Sequence, residues 1–139
     1  MQPLACAAEG IASQDSSLRL SGELRTLATS MIKICEDLRW MNPDHWPALR
    51  NQSAGDATGS SIMPGKVNPV GAEACEMACA QVIGLDAAIA AGAQRSPFQL
   101  NIMLPLIALD LLQAIELLAN ATDLLRTSTI ETMVPVRAD

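Results

Sequence analysis

The segment Gly59-Ser60-Ser61-Ile62-Met63-Pro64-Gly65-Lys66-Val67-Asn68-Pro69 gathers the residues of this 139-residue chain best suited to chemistry. Gly59 lets the backbone approach a ligand closely. Lys66 supplies a positive point charge, and Asn68 an amide that both donates and accepts. A helix opening just after Pro69 would add the positive end of its dipole. These features suit an anion, most naturally a carboxylate. A surface loop with a solvated lysine has the same composition, so the residue types alone leave both readings open.

The flanks that must position this segment are patterned as helices. From about Ser13 the apolar residues Leu20, Leu24, Leu27, Met31, Ile34, Leu38 and Met41 recur at alternating steps of 4 and 3, one seam along a helix. Ser13 suits the N-cap, and Asp15 in the first turn suits the dipole. Gly22 costs about 1 kcal/mol against Ala inside a helix and reads as a mark of close packing. Asn42-Pro43 stops the helix.

Residues 42–69 hold four Pro and three Gly without clear periodicity, a long loop of the kind usually functional or disordered. Mobility is expected from about Asn51 to Gly65. A second helix is expected from about Val70 to Ala91, with Glu73 and Glu76 in its first two turns, and a break at 92–99. A third helix is expected from about Asn101 to Arg126. Its run Leu104, Ile107, Leu111, Ile115, Leu118, Leu125 is joined by leucines on other faces, so it is apolar nearly all round. A helix of that kind is buried on several sides, which in so small a chain points to an oligomer core. The expected fold is all-α: a lead-in at 1–12, a helical-bundle domain at 13–126 carrying the loop 42–69, and an extended or loose tail at 127–139.

Composition narrows the function classes. Half the residues are hydrophobic, only 2% are aromatic, and the net charge is −6. Ala and Leu in place of aromatic and β-branched residues favour helices over sheets. An acidic chain without a basic stripe argues against nucleic acid as a partner. The opening MQPLACAAEG has no basic region and no long apolar run, so Cys6, Cys35, Cys75 and Cys79 read as reduced thiols of a cytoplasmic protein. The longest uncharged run, Ser96 to Leu109, is 14 residues with two prolines, too short and broken for a membrane span. Cys75 and Cys79 lie four apart and could chelate a soft metal. No His or further Cys flanks them, so core packing is expected and no metal or cofactor. His45, beside Trp46, reads as solvated or packing, and Trp40 as packing. Arg19, Arg25, Lys33 and Arg39 lie off the seam and read as solvated or interface charges.

The spelling GSSIMPGKVNP resembles the signature of the fumarase/aspartase superfamily. The likeness extends upstream through QDSSLRLSGELRTLATSMIKICEDLRW and downstream through CAQVIGLD and FQLNIMLP, covering roughly residues 9–126. MPGKVNP resembles the fumarase and aspartase branch rather than the argininosuccinate and adenylosuccinate lyases. Leu38-Arg39-Trp40, Glu73-Ala74 and Cys79-Ala80-Gln81-Val82 look more like class II fumarases; Lys33-Ile34-Cys35 and Gln14-Asp15 look more like aspartases. The segment PDHWPALRNQSAGDAT departs from the Gly-rich, acidic stretch such enzymes carry before the signature.

The resemblance implies an elimination that removes a proton from carbon next to a carboxylate and releases fumarate. It implies Ser60 as general base, helped by Lys66 favouring its oxyanion. Ser61, Lys66 and Asn68 would bind a small dicarboxylate substrate, and Glu73 would pair with a histidine from another segment and another subunit. It further implies a tetramer, and enzymes several times longer than this chain. Asn101 falls in a stretch resembling the family core, where it would be structural or would support the site.

Overall fold

In the computed structural model the described residues are 6–41, 49–51, 62 and 68–135. Three long helices dominate: α2 (Asp15–Trp40), α3 (Val70–Ala93) and α4 (Leu104–Leu125). A short helix, α1 (Ala7–Ala12), lies in the expected lead-in. A π-helical turn, Arg126–Ile130, continues α4 into the expected tail. Two three-residue strands, β1 (Leu49–Asn51) and β2 (Met133–Pro135), pair antiparallel, Arg50 opposite Val134. Among the described residues the fold is all-α apart from this one pairing, which ties residues 49–51 to residues 133–135.

The helix ends obey local chemistry. The Asp15 N–H donates to Ser13 Oγ at 3.4 Å, so Ser13 reaches the start of α2 although Gln14 holds the cap. Pro69 precedes the first turn of α3, and Pro105 lies inside the first turn of α4, where a missing N–H costs nothing. Asn101, 1% exposed, joins α3 to α4. Its Nδ2 donates to Gly92 O at 3.2 Å and Ala93 O at 3.4 Å, and its Oδ1 accepts from Met103 N–H at 2.8 Å. One amide thus satisfies carbonyls ending α3 and an N–H opening α4.

Packing is chiefly α2 on α3 and α3 on α4, each pair antiparallel, with little direct contact between α2 and α4. The core runs through Ala28, Met31 and Cys35 of α2, Ala72, Cys75, Cys79, Val82 and Leu85 of α3, and Ala114, Leu118, Ala121 and Leu125 of α4. Cys75 and Cys79 are packed there, as expected. Burying a side chain the size of Leu118 contributes about 1.5–3 kcal/mol.

The buried row of α2 differs from the expected seam. Leu24, Met31 and Leu38 pack inward, but with Ser21, Ala28 and Cys35 rather than Leu20, Leu27 and Ile34. On α4, likewise, Ile107, Leu118 and Leu125 are buried with Asp110, Ala114 and Ala121, while Leu104 and Ile115 stay exposed. Small side chains thus share the buried rows with some of the large ones, while Leu20, Leu27, Ile34, Leu104 and Ile115 remain outside. Gly22 does not mark close packing, because a Cβ there would meet nothing within 4 Å. Gly92 does: a Cβ would come within 3.3 Å of Ile107 Cγ1.

α3 and the span Leu104–Ile130 are each long and apolar enough to cross a bilayer by length and composition. Counting uncharged runs missed this, because single carboxylates interrupt both helices. In each, 28% of the most apolar window is buried, in stripes that pack within one bundle.

Candidate active site

α3 opens at the end of the bundle where α2 stops. Val70 N–H donates to Asn68 O at 2.9 Å, and Glu73 N–H to Pro69 O at 3.1 Å, so the first turn of α3 is wound directly on the end of the signature. Asn68 is half-buried just before this turn, and Glu73 lies within it. Gly71 allows the π-helical turn to approach: a Cβ at 71 would sit 2.1 Å from Ser128 Oγ and 2.7 Å from Thr129 Oγ1. Asn68 and Glu73 are therefore brought to one end of one helix. Ser60, Ser61 and Lys66 lie outside the described residues, as do His45, Trp46 and most of the segment expected to be mobile. Ile62, within the signature, is exposed.

Opposite Glu73 stands Arg39, in the last turn of α2. Its Nη1 donates to Glu76 Oε2 at 2.9 Å and lies 3.4 Å from Glu36 Oε1, and its Nε is 4.0 Å from Glu73 Oε1. The Glu73 side chain is 42% exposed and that of Glu76 17%. Glu76 Oε1 is shut away from solvent without a hydrogen-bond partner. Burial of Arg39 works against its charge, but Glu76 first, then Glu36 and Glu73, outweigh it and hold the guanidinium above its ordinary range. Of the two readings its place off the seam left open, Arg39 is thus the interface charge, between α2 and α3. Sequence spacing could not show this, because its partners lie on another helix. The one available signal was Glu73 and Glu76 at i,i+3, which share a helix face.

Arg25 is also engaged, at 3.3 Å from Asp86 Oδ2, whose other oxygen accepts from Ser21 Oγ at 2.5 Å. Lys33 pairs with Asp37 on its own helix. Trp40 is 68% exposed at the end of α2 rather than packed in the core. Asn101 lies at the opposite end of the bundle, where its bonds are structural. Among the described residues no three His, Cys, Asp or Glu side chains are grouped to hold a metal ion. What the described end of the bundle offers is a half-buried amide, a helix N-terminus and a partly exposed carboxylate steadied by a cation. The carboxylate can accept a hydrogen bond from a neighbouring proton-carrying group and orient it.

A protein-family model described as Lyase matches residues 2–84, more than half the chain. A fumarate hydratase class II 2 from Pseudomonas aeruginosa is 51% identical over 121 residues, covering 86% of this chain and 26% of that protein. A fumarate hydratase class II from Xylella fastidiosa is 47% identical over 123 residues, covering 88% of this chain and 26% of that protein. Among solved structures, a class II fumarase from Schistosoma mansoni superposes with a TM-score of 0.88 at 30% identity, covering 97% of this chain and 28% of that one. A fumarate lyase:delta crystallin from Brucella melitensis superposes with a TM-score of 0.86 at 32% identity, covering 97% and 32%. The chain spans about a quarter of the length of the relatives it matches.

Proposed function

The chain belongs to the fumarase/aspartase superfamily of lyases, and from that membership we propose that it supplies one segment of a fumarate hydratase active site, for the reversible addition of water to fumarate giving malate. The observation that carries this reading is the 51% identity to a class II fumarate hydratase across a stretch that includes the whole signature. The presentation of Glu73 supports it: the carboxylate is left partly open at the start of α3 instead of being sealed in this chain's own core.

In the malate-to-fumarate direction, Ser60 Oγ, as the alkoxide, takes the proton from the carbon next to a carboxylate. The resulting charge spreads into that carboxylate, where Lys66, Asn68 and the N-terminus of α3 stabilise it. Ser61 adds a hydrogen bond to the substrate. The C–O bond then breaks, and the hydroxyl leaves as water with a proton delivered by an acid. Glu73 orients a histidine contributed by another segment and another subunit, so the chain acts only within an assembly.

A homo-oligomer, a tetramer on the family pattern, is part of the same proposal. Large apolar side chains on the outside support it: Leu109 is 63% exposed, Leu112 68% and Phe98 fully exposed. So does a groove of about 450 Å³ between α2 and α4, lined by Leu24, Leu27, Ile115 and Leu118. The groove is rimmed by Thr122, Asp123 and Arg126, an apolar floor with a polar edge of the kind found at interfaces. The partners are the small dicarboxylate and further lyase subunits, not nucleic acid or a membrane, in a cytoplasmic setting.

The test is complementation. The chain is mixed with a full-length class II fumarate hydratase whose own signature serine is alanine, and fumarate is monitored by its ultraviolet absorbance. Consumption in water, lost with Ser60→Ala in this chain, is expected. Consumption only with ammonium would instead assign an aspartate ammonia-lyase. A stable assembly with no activity in either condition would leave a non-catalytic helical oligomerisation module.

A further inference from the structure

Arg39 faces three carboxylates, Glu36, Glu73 and Glu76, and its distances to them are unequal. Glu76 takes the short contact at 2.9 Å, while Glu73 stands at 4.0 Å from Nε. A fork-to-fork pair with Glu73 would have consumed both carboxylate oxygens. A cation at 4.0 Å attracts the carboxylate without occupying it. Glu76, mostly buried and anchored on α3 three residues beyond Glu73, keeps the guanidinium from swinging into that closer pair.

We propose that Arg39 is a positioning residue for Glu73: held by Glu76 and Glu36, it restricts the orientation of the Glu73 carboxylate while standing far enough off, at 4.0 Å, for that carboxylate to accept from an incoming donor. The role of that carboxylate in catalysis rests on the fumarate hydratase reading above; its orientation by Arg39 does not. The three carboxylates and one guanidinium carry a net charge of −2, so the group also favours a cationic donor, such as an imidazolium, over a neutral one.

Two measurements test this. In the 139-residue chain itself, the side-chain carboxyl 13C resonance and side-chain couplings of Glu73 are compared among wild type, Arg39→Gln, Arg39→Lys and Glu76→Gln. Helicity is checked in parallel by circular dichroism. Arg39→Gln and Glu76→Gln are expected to release Glu73 into averaged rotamers, and Arg39→Lys to retain part of the ordering. A Glu73 signal unchanged in Arg39→Gln, with helices intact, overturns the proposal whatever the enzyme does.

In the complemented enzyme, Arg39→Gln is expected to lower kcat roughly tenfold with KM within about twofold, because misplacing a supporting group costs rate more than binding. It should add little to a Glu73→Gln background, and Arg39→Lys should recover part of the loss. Full activity in Arg39→Gln beside an impaired Glu73→Gln overturns the positioning role and leaves the hydratase reading standing. If the wild-type mixture is itself inactive, the hydratase reading fails, and the resonance comparison alone decides the role of Arg39.

Discussion

Along α2, Ser21, Ala28 and Cys35 face the rest of the bundle, while Leu20, Leu27 and Ile34, each one residue earlier, remain 45%, 49% and 48% exposed. Leu24, Met31 and Leu38 lie between these rows and pack inward. The inner row is small and partly polar; the outer row is large and wholly apolar. Small side chains bring α2 against α3 closely enough for Ser21 and Arg25 to reach Asp86. Among the described residues the outer row stays about half exposed, with Leu27 only edging the groove beside α4. One helix therefore carries two surfaces, one used in the folded subunit and one left over, and hydrophobicity does not tell them apart.

The contrast can be broken from either side. The largest effect is expected inside: Leu118→Ala, at a core position 4% exposed, should cost about 2–5 kcal/mol, read as a lower urea midpoint at unchanged slope. Ala28→Leu, at a position with no exposure, should cost about 1–3 kcal/mol by overpacking the inner face of α2. If Ala28→Leu were neutral, the small inner row would not be what sets the helix spacing. On the outside, replacing Leu20, Leu27 and Ile34 together by Gln should leave helicity intact and shift sedimentation velocity toward smaller species. Loss of helicity instead would show that the two rows are not separable.

The thiols sharpen the same contrast by pH and by reactivity. Burial first, and the neighbouring Cys75 next, push Cys35 from the ordinary 9.0 up to about 12; burial and Cys75 do the same to Cys79. Folded, these thiols keep their protons where the unfolded chain has lost them. The stability they contribute is complete below about pH 9 and is lost as pH rises toward about 12. The thermal midpoint should fall steadily over that window, less steeply when Cys35 and Cys79 are both Ala. With an exposed-thiol reagent at neutral pH, Cys6 should react at once, and Cys35, Cys75 and Cys79 only as the chain opens.

The helices were legible because their signals are local. Proline and glycine punctuation placed α2, α3 and α4 to within about three residues of their observed ends. The rows were not, because choosing the largest apolar residue at each turn selects Leu27 over Ala28 and Ile34 over Cys35. The pairing of β1 with β2 was invisible for another reason: its partners lie more than 80 positions apart. At the site, Asn68 and Glu73 were recognisable from the spelling of the signature and of the first turn of α3. Which of its two readings holds for Arg39, solvated or interface, was not legible because its charge is answered 34 and 37 residues away, across a helix interface.

The two connections of the bundle differ in length, and that difference bears on how the chain folds and varies. α3 and α4 are joined by residues 94–103, and Asn101 bonds both ends of the turn. A loop of about ten residues closes in roughly 10–100 ns, so this hairpin can form early and alone. α2 is joined to α3 through the longer connection, residues 41–69. Because closure entropy grows with the logarithm of length, doubling that connection would cost only about 0.6 kcal/mol. Length added between Asn51 and Gly59 thus costs little, whereas Leu49–Asn51 is held by its pairing with Met133–Pro135, and Asn68 and Pro69 stay bonded to the first turn of α3.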